Sequence, residues 1–289
     1  MINELVIRLS DIGMKNFPEY FAPLKEGIRY AGLGVIFEVY VGRMILITLA
    51  SFIAVFIHML VMLTIFGRFP LWFSIPGSLM IASIISFIIL IVFHSYPYQA
   101  MSTKRASIDA NMPFALNHMT AVASSGVPPA TIFRLLMGIK EYGQVSEESG
   151  LIVRNMETFG MDMTTAVKQV ANTTSSDKFR EFLFSVVSTI ESGGDLKRFL
   201  KSVTQESMFE YKLRREKYLE TLMTYADFYT AVLIAAPLFF ISILSVMAMI
   251  GGNIMGMSII EAMQLGIYAF IPLLNIVFLA FVHMTQPAV

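Results

Sequence analysis

Charged side chains of both signs surround a Gly-Gly pair about two thirds of the way along the chain. Glu191 lies just before the pair, and Asp195, Lys197 and Arg198 lie just after it. Side chains in this mixture can form ion pairs with a polar protein surface, so they are candidate contacts with a partner protein. A simpler interpretation is that Asp195 caps the following helix and that Glu191 only faces solvent. Neither interpretation involves catalysis.

Motifs for catalysis or cofactor binding are missing from the sequence. It lacks G-x-x-x-x-G-K-[ST], G-x-G-x-x-G, H-E-x-x-H and G-x-S-x-G. With no cysteine, thiolate catalysis and cysteine-based metal sites are excluded. The four histidines are scattered along the chain, so we expect no metal site, and the missing motifs predict no bound cofactor. The net charge is zero, from 21 basic and 21 acidic residues, which predicts no nucleic-acid partner.

The Gly-Gly pair belongs to a pattern that occurs three times. Its copies begin at Gly126, Gly160 and Gly193, which are 34 and then 33 residues apart. Two residues after each glycine is a residue suited to a helix start, and a basic residue occurs eight residues after each glycine. These positions are Pro128, Asp162 and Asp195, then Arg134, Lys168 and Lys201. Because the period equals one helical hairpin, we predict structural turns at Gly126, Pro128, Gly160, Asp162, Gly193 and Gly194.

Long apolar segments flank this repeat. The chain is 56% apolar and has a mean hydropathy of +0.67, which is typical of an integral membrane protein. Four uncharged runs of 23 residues can each cross a hydrocarbon core of roughly 30 Å. They are residues 44–66, 71–93, 228–250 and 262–284. Pro237 and Pro272 are expected to kink their spans, and Asn275 to bond a neighbouring helix.

The predicted fold class is therefore an all-α membrane protein, in which four transmembrane helices flank a helical-hairpin bundle of about six helices between spans 2 and 3. Its parts are an amphipathic N-terminal segment (1–42, one or two helices), a transmembrane hairpin (43–96), the helical domain (97–225), and a second hairpin with a short tail (226–289). In the domain, a first helix is expected to begin at Ser107 or just before Pro113. The clearest helix is expected to span 176–191. A last helix is expected to run from Asp195 towards the third span.

Basic residues indicate the orientation of these spans. Five precede the first span, 15 lie in residues 97–225, and only Arg68 falls in a short turn on the other side. Because lysine and arginine favour the cytoplasmic side, we expect both termini and the helical domain to be cytoplasmic, in the cell membrane.

Three stretches of the helical domain resemble the secretion F domain. They are Met112-Pro-Phe-Ala-Leu116 leading to Ser125-Gly-Val-Pro128, Phe159-Gly160 followed by Ala166-Val167, and Ile190-Glu-Ser-Gly-Gly-Asp-Leu196 followed by Phe199-Leu200. The resemblance covers about 112–250 and is to the platform proteins of type IV pili, type II secretion systems, tight-adherence pili and archaella. The ending from Ile271-Pro-Leu-Leu-Asn275 to Gln286-Pro287 is similar to archaeal members.

The resemblance implies a non-enzymatic membrane scaffold. In that family the helical domain meets a hexameric cytoplasmic secretion ATPase, and the spans hand pilin-like subunits to a growing filament. Members often carry two F domains and this sequence shows one, which implies a tight-adherence-like short form or a half-length archaeal form. Such a form would be completed by self-association or by a paralogous subunit, with membrane lipid around the spans.

Two other classes fit the topology. A four-span transporter subunit with a cytoplasmic helical regulatory domain would need charged residues or broken helices in mid-membrane, and only Pro237 and Pro272 hint at these. A signalling receptor would need a sizeable domain on the far side, where both loops are short.

Overall fold

The computed structural model describes residues 2–254 and 256–285, and these are almost entirely helical. Four helical stretches are long and apolar enough to cross a membrane: Phe37–Phe66, Leu71–Ser124, Leu196–Ile250 and Ile259–Thr285. The predicted all-α class with four spans is confirmed. The chain separates into two compact units, Met1–Thr204 and Gln205–Val289. Gln286 and Pro287, which contributed to the archaeal resemblance, lie outside the described residues.

Two amphipathic helices begin the first unit, α1 (Ile2–Asn16) and α2 (Pro18–Ala31). α1 packs on α3 (Phe37–Val61), which ends in a π-helical turn at Met62–Phe66, whereas α2 packs mainly on the helix that follows. The approach of α1 to α3 is close, since a Cβ added at Gly42 would lie 2.1 Å from the carbonyl oxygen of Val6. The apolar core between these helices comprises Phe21, Leu24, Ile28, Val41 and Met44.

The fourth helix, α4 (Leu71–Ser124), forms the second span and then continues into the helical domain. Its 54 residues make a rod of about 80 Å, far longer than the bilayer core. The expected helix start at Ser107 or before Pro113 is therefore wrong. Pro97 and Pro113 each remove a backbone hydrogen bond, but both are buried within α4, and packing offsets that loss.

Short and long helices alternate after α4. They are α5 (Pro129–Met137), a 3₁₀ turn (Lys140–Tyr142), α6 (Gln144–Glu157), α7 (Met163–Ala171), α8 (Asp177–Glu191) and α9 (Leu196–Phe228). The predicted helix at 176–191 is confirmed, with the Ser176 hydroxyl accepting from the Phe179 amide at 3.2 Å. One apolar core joins α4 to α9; its fully buried members include Ile108, Leu116, Phe133, Ile152, Phe179, Leu183 and Leu200. Burial of each such side chain contributes about 1.5–3 kcal/mol.

The second unit contains most of α9 and the last two spans. After α9 come a π-helical turn (Tyr229–Ala235), α10 (Ala236–Ile250), strands β1 (Asn253–Ile254) and β2 (Met257–Ser258), α11 (Ile259–Leu265), a second π-helical turn (Gly266–Phe270) and α12 (Ile271–Thr285). The strands pair antiparallel, with Asn253 opposite Ser258.

A π-helical turn precedes each proline that was expected to kink a span. Pro237 and Pro272 lie just after these turns. A wider turn relieves the clash between a proline ring and the carbonyl one turn earlier. The predicted bond of Asn275 to a neighbouring helix is confirmed, because the Tyr229 hydroxyl donates to Asn275 Oδ1 at 3.2 Å.

Candidate functional site

The threefold sequence pattern becomes a repeat of paired helices in the structure. α5 and α7 each have nine residues, and each is followed by a longer helix, α6 with 14 residues and α8 with 15. The third copy starts in the same way at α9, which instead continues for 33 residues. The domain therefore holds two complete repeats and the first element of a third.

Glycines occupy left-handed backbone conformations where the repeats begin. Gly126, Gly160 and Gly193 have φ values of +78°, +66° and +67°. A Cβ added at any of the three would meet no atom of the described residues within 4 Å, so backbone conformation is what requires glycine there. Gly194 differs, because its Cβ would lie 3.2 Å from Thr189.

The residue two positions after each of these glycines precedes the next helix. Pro128 is the N-cap residue of α5 and has no side-chain bond to offer. Asp162 caps α7, where its Oδ2 accepts from the Thr165 amide at 2.9 Å and from the Thr164 hydroxyl at 2.6 Å. These bonds hold the pKa of Asp162 well below its usual range, and the cap stays charged at neutral pH.

An ion pair ties the two helices of each complete repeat together. Arg134 Nη2 donates to Glu157 Oε1 at 2.6 Å, and Lys168 Nζ donates to Glu191 Oε1 at 2.5 Å. Each cation is the sixth residue of its short helix, each glutamate is the last residue of the next helix, and both pairs are 23 residues apart. The side chains are about half exposed, so each pair contributes only about 0.2–1 kcal/mol.

The third repeat has the cation but not the acid. Lys201 is the sixth residue of α9, matching Arg134 and Lys168, but the residue 23 positions further on is Thr224. Lys201 is exposed, and it makes no ion pair within residues 2–254 and 256–285.

The predicted partner-contact residues separate into two groups. The two acids have intramolecular roles: Glu191 pairs with Lys168, and Asp195 Oδ1 accepts from the Arg198 amide at 3.1 Å at the start of α9. Lys197 and Arg198 are exposed, and in the described part of the chain their side chains form no ion pair. The charge left available at this turn is therefore positive rather than mixed.

The start of α9 is held firmly against the domain. Leu200 is fully buried, and the Phe199 ring stacks on Phe182 with centroids 6.3 Å apart. The Thr204 hydroxyl donates to the Leu116 carbonyl at 3.0 Å and lies 2.7 Å from the Thr120 hydroxyl. The exposed cations Lys197, Arg198 and Lys201 therefore lie on a part of α9 that is anchored to the domain by buried contacts.

A buried ion pair links α4 to α6, and sequence reasoning missed it. Lys104 Nζ lies 2.7 Å from Glu148 Oε1, and the Glu148 side chain is only 1% exposed. Burial raises the pKa of Glu148, while the nearby ammonium of Lys104 opposes that shift. Among the described residues, Glu148 Oε2 has no hydrogen-bond partner. Glu148 lies in a polar stretch of the sequence, which gave no signal that it would be buried.

A second charged network joins the N-terminal segment to the domain. The guanidinium of Arg180 lies 5.4 Å from the ring centre of Tyr30 in α2, and it also donates to Asp177 at 2.8 Å. Asp177 in turn pairs with Arg105 of α4 at 3.0 Å. The charges in this network satisfy one another, so it positions helices rather than offering a free binding surface.

The fold and these sites define a multi-pass membrane protein with a domain of helical hairpins. Among the described residues, no group of three or more metal-ligating side chains is found. Residues 115–244 match the family model of protein F of the type II secretion system (T2SS). These residues are thus similar to the type II secretion system F domain, as the sequence motifs indicated.

Relatives of the chain come from archaea. It is 26% identical over 204 residues to an uncharacterized protein of Methanocaldococcus jannaschii, covering 70% of this chain and 34% of that protein. It is 25% identical over 145 residues to flagella accessory protein J of Methanococcus voltae, covering 50% of this chain and 26% of that protein. It is 22% identical over 153 residues to flagella accessory protein J of M. jannaschii, covering 53% of this chain and 27% of that protein. The matches thus span a quarter to a third of these relatives. No solved structure matches the chain.

Proposed function

We propose that this chain is a non-enzymatic platform of the cell membrane that couples a hexameric cytoplasmic secretion ATPase to the assembly of a pilus-like filament. The observation that carries this proposal is the F-domain match over residues 115–244, which includes the helical hairpins and continues into the third span. Relatives named flagella accessory protein J favour an archaellum-like system. The ATPase would supply the energy, since the sequence contains no phosphate-binding loop.

In this proposal the helical domain and both termini are cytoplasmic, and the spans receive pilin-like subunits. Support for the orientation comes from the basic residues, of which 15 lie in 97–225 and one, Arg68, lies in a turn between spans. Support for mechanical coupling comes from α4, because one helix forms the second span and also contributes Ile108 and Leu116 to the core of the domain. A movement of the domain would then be transmitted to the bilayer without a flexible joint.

The orientation can be tested with single cysteines, because the chain has none of its own. We expect Arg68→Cys to react with a membrane-impermeable maleimide on intact cells. Lys140→Cys, on an exposed turn of the domain, should react only after the membrane is permeabilised. The reverse labelling pattern would contradict the proposed topology.

The coupling can be tested by co-purification of the detergent-solubilised chain with the secretion ATPase from the same genome. The matched variant lacks residues 125–195 and joins α4 to α9 through a short Gly/Ser linker. A short linker is suitable because α4 and α9 are in contact near these ends, where the hydroxyl oxygens of Thr120 and Thr204 lie 2.7 Å apart. We expect the full chain to capture the ATPase and the variant, if monodisperse, to lose it. Failure of the folded full chain to capture it would favour the transporter-subunit alternative.

A further inference from the structure

We infer that Lys197, Arg198 and Lys201 form a basic docking site for an acidic helix end on the ATPase partner. These three residues are called the α9 basic face below. The inference rests on the proposed function and deepens it, because it states which surface of the chain binds the ATPase. It differs from the sequence expectation of a mixed-charge contact, and it adds Lys201.

The repeat itself indicates what is missing at this face. In both complete repeats, the sixth residue of the short helix is a cation, and it binds a glutamate that ends another helix. Lys201 presents the same cation at the same position of α9, held by the buried Leu200 beside it. The chain supplies no acid at the corresponding spacing, so a glutamate or aspartate at a helix end of another protein fits the vacant position.

Among the described residues, no acidic side chain forms an ion pair with the α9 basic face. The acids before it are already used, Glu191 in a pair with Lys168 and Asp195 in the helix cap. The next acid along α9 is Glu206, five residues after Lys201, which is not the spacing at which helical side chains meet. The three cations lie within four residues of each other and therefore share one helix face.

Stability alone does not explain cations at this position. Lys197 and Arg198 lie in the first turn of α9, which contains no acid. The positive end of the helix dipole is there, and it disfavours cations. The matching short helices α5 and α7 also lack an acid in their first turns, but they carry no cation there either. Like charges at spacings of three and four residues add repulsion. An acidic partner would relieve both effects, which gives the arrangement a physical reason.

The test compares ATPase binding by the full chain and by charge-reversed variants, in neutral detergent without anionic lipid. Lys201→Glu and the triple reversal at Lys197, Arg198 and Lys201 are matched with Lys140→Glu, another exposed lysine of the domain. We expect Lys201→Glu to slow association about tenfold and to flatten its salt dependence, because charges outside a buried core act mainly on the association rate. Lys140→Glu should bind like the parent.

Thermal unfolding separates a docking role from a structural one. The triple reversal should unfold at a temperature equal to or above that of the parent, because it replaces unfavourable cations with acids near the helix N-terminus. Loss of binding with a lowered unfolding temperature would mean that the face is structural, which overturns the inference.

The remaining outcomes are also decisive. If the parent and both reversed variants capture the ATPase equally, the docking site is wrong while the proposed function stands. If the parent captures none, the proposed function fails and the inference fails with it. If reversal changes the oligomeric state measured by analytical ultracentrifugation but not ATPase binding, the occupant is a second copy of the chain, and the inference is again overturned.

Discussion

Replacement of Gly160 by alanine tests whether the repeat depends on backbone conformation alone. Gly160 has a φ of +66°, and an added Cβ would have no atom within 4 Å. The substitution therefore creates no clash, and its cost is that of holding an L-residue in the left-handed region. That cost is about 1–2 kcal/mol. Gly160→Val should cost more because of its branched side chain, and Gly160→Asn less because asparagine tolerates this region.

Hydrogen exchange of the full chain in detergent measures this cost locally. A loss of about 1–2 kcal/mol corresponds to opening that is about 5- to 30-fold more frequent. We expect amides of α6 and α7, on either side of the turn, to exchange faster by that factor in Gly160→Ala. The amides of α1 and α3 should be unchanged, because local opening does not require the whole unit to unfold.

A second glycine supplies the matched control. Gly150 lies inside α6, and its added Cβ would lie 3.3 Å from Cγ of Met137, a flexible and partly exposed side chain. Alanine is favoured over glycine in a helix by about 1 kcal/mol, so Gly150→Ala should exchange as slowly as the parent or more slowly. If Gly160→Ala also exchanges like the parent, the left-handed turn does not carry the stability assigned to it.

Two further predictions concern charged groups. Lys104→Met leaves the buried Glu148 without its cation and should destabilise the chain by about 3–5 kcal/mol, whereas Lys104→Met/Glu148→Leu should recover most of the loss. Because burial raises the pKa of Glu148, the Lys104→Met defect should be smallest below about pH 4.3 and should grow as the pH rises through the raised pKa, as measured by thermal unfolding. The lowered pKa of Asp162 has the opposite sign: its contribution to stability is complete above about pH 3.9 and is lost as the pH falls. Asp162→Asn should remove this acid-side slope from the unfolding curves, and an unchanged slope would assign it to other carboxylates.

Local patterns were sufficient for much of the fold. The apolar spacing and the Ser-Asp start predicted α8, and the structure ends that helix at Glu191. The uncharged runs located all four spans. These features depend on neighbouring residues and on the periodicity of one helix, so a single sequence contains the information.

The start of the helical domain could not be located in this way. The change of composition after Pro97 suggested a boundary, but α4 passes through Pro97 and Pro113 without a break. A proline's effect depends on the packing around it, which the sequence does not show. The π-helical turns before Pro237 and Pro272 are likewise adjustments that appear only in three dimensions.

The sequence by itself determined the class of the protein, the spans and the repeat, including the cations at Arg134, Lys168 and Lys201. The tertiary structure decided which charges are free. It paired Glu191 with Lys168 and buried Glu148 beside Lys104, whereas the cap at Asp195 is a local contact that the sequence already suggested. The physical reason is that an ion pair requires two side chains to meet within a few ångströms, and these partners come from different helices. Only the packing of those helices leaves the α9 basic face without an acid of its own.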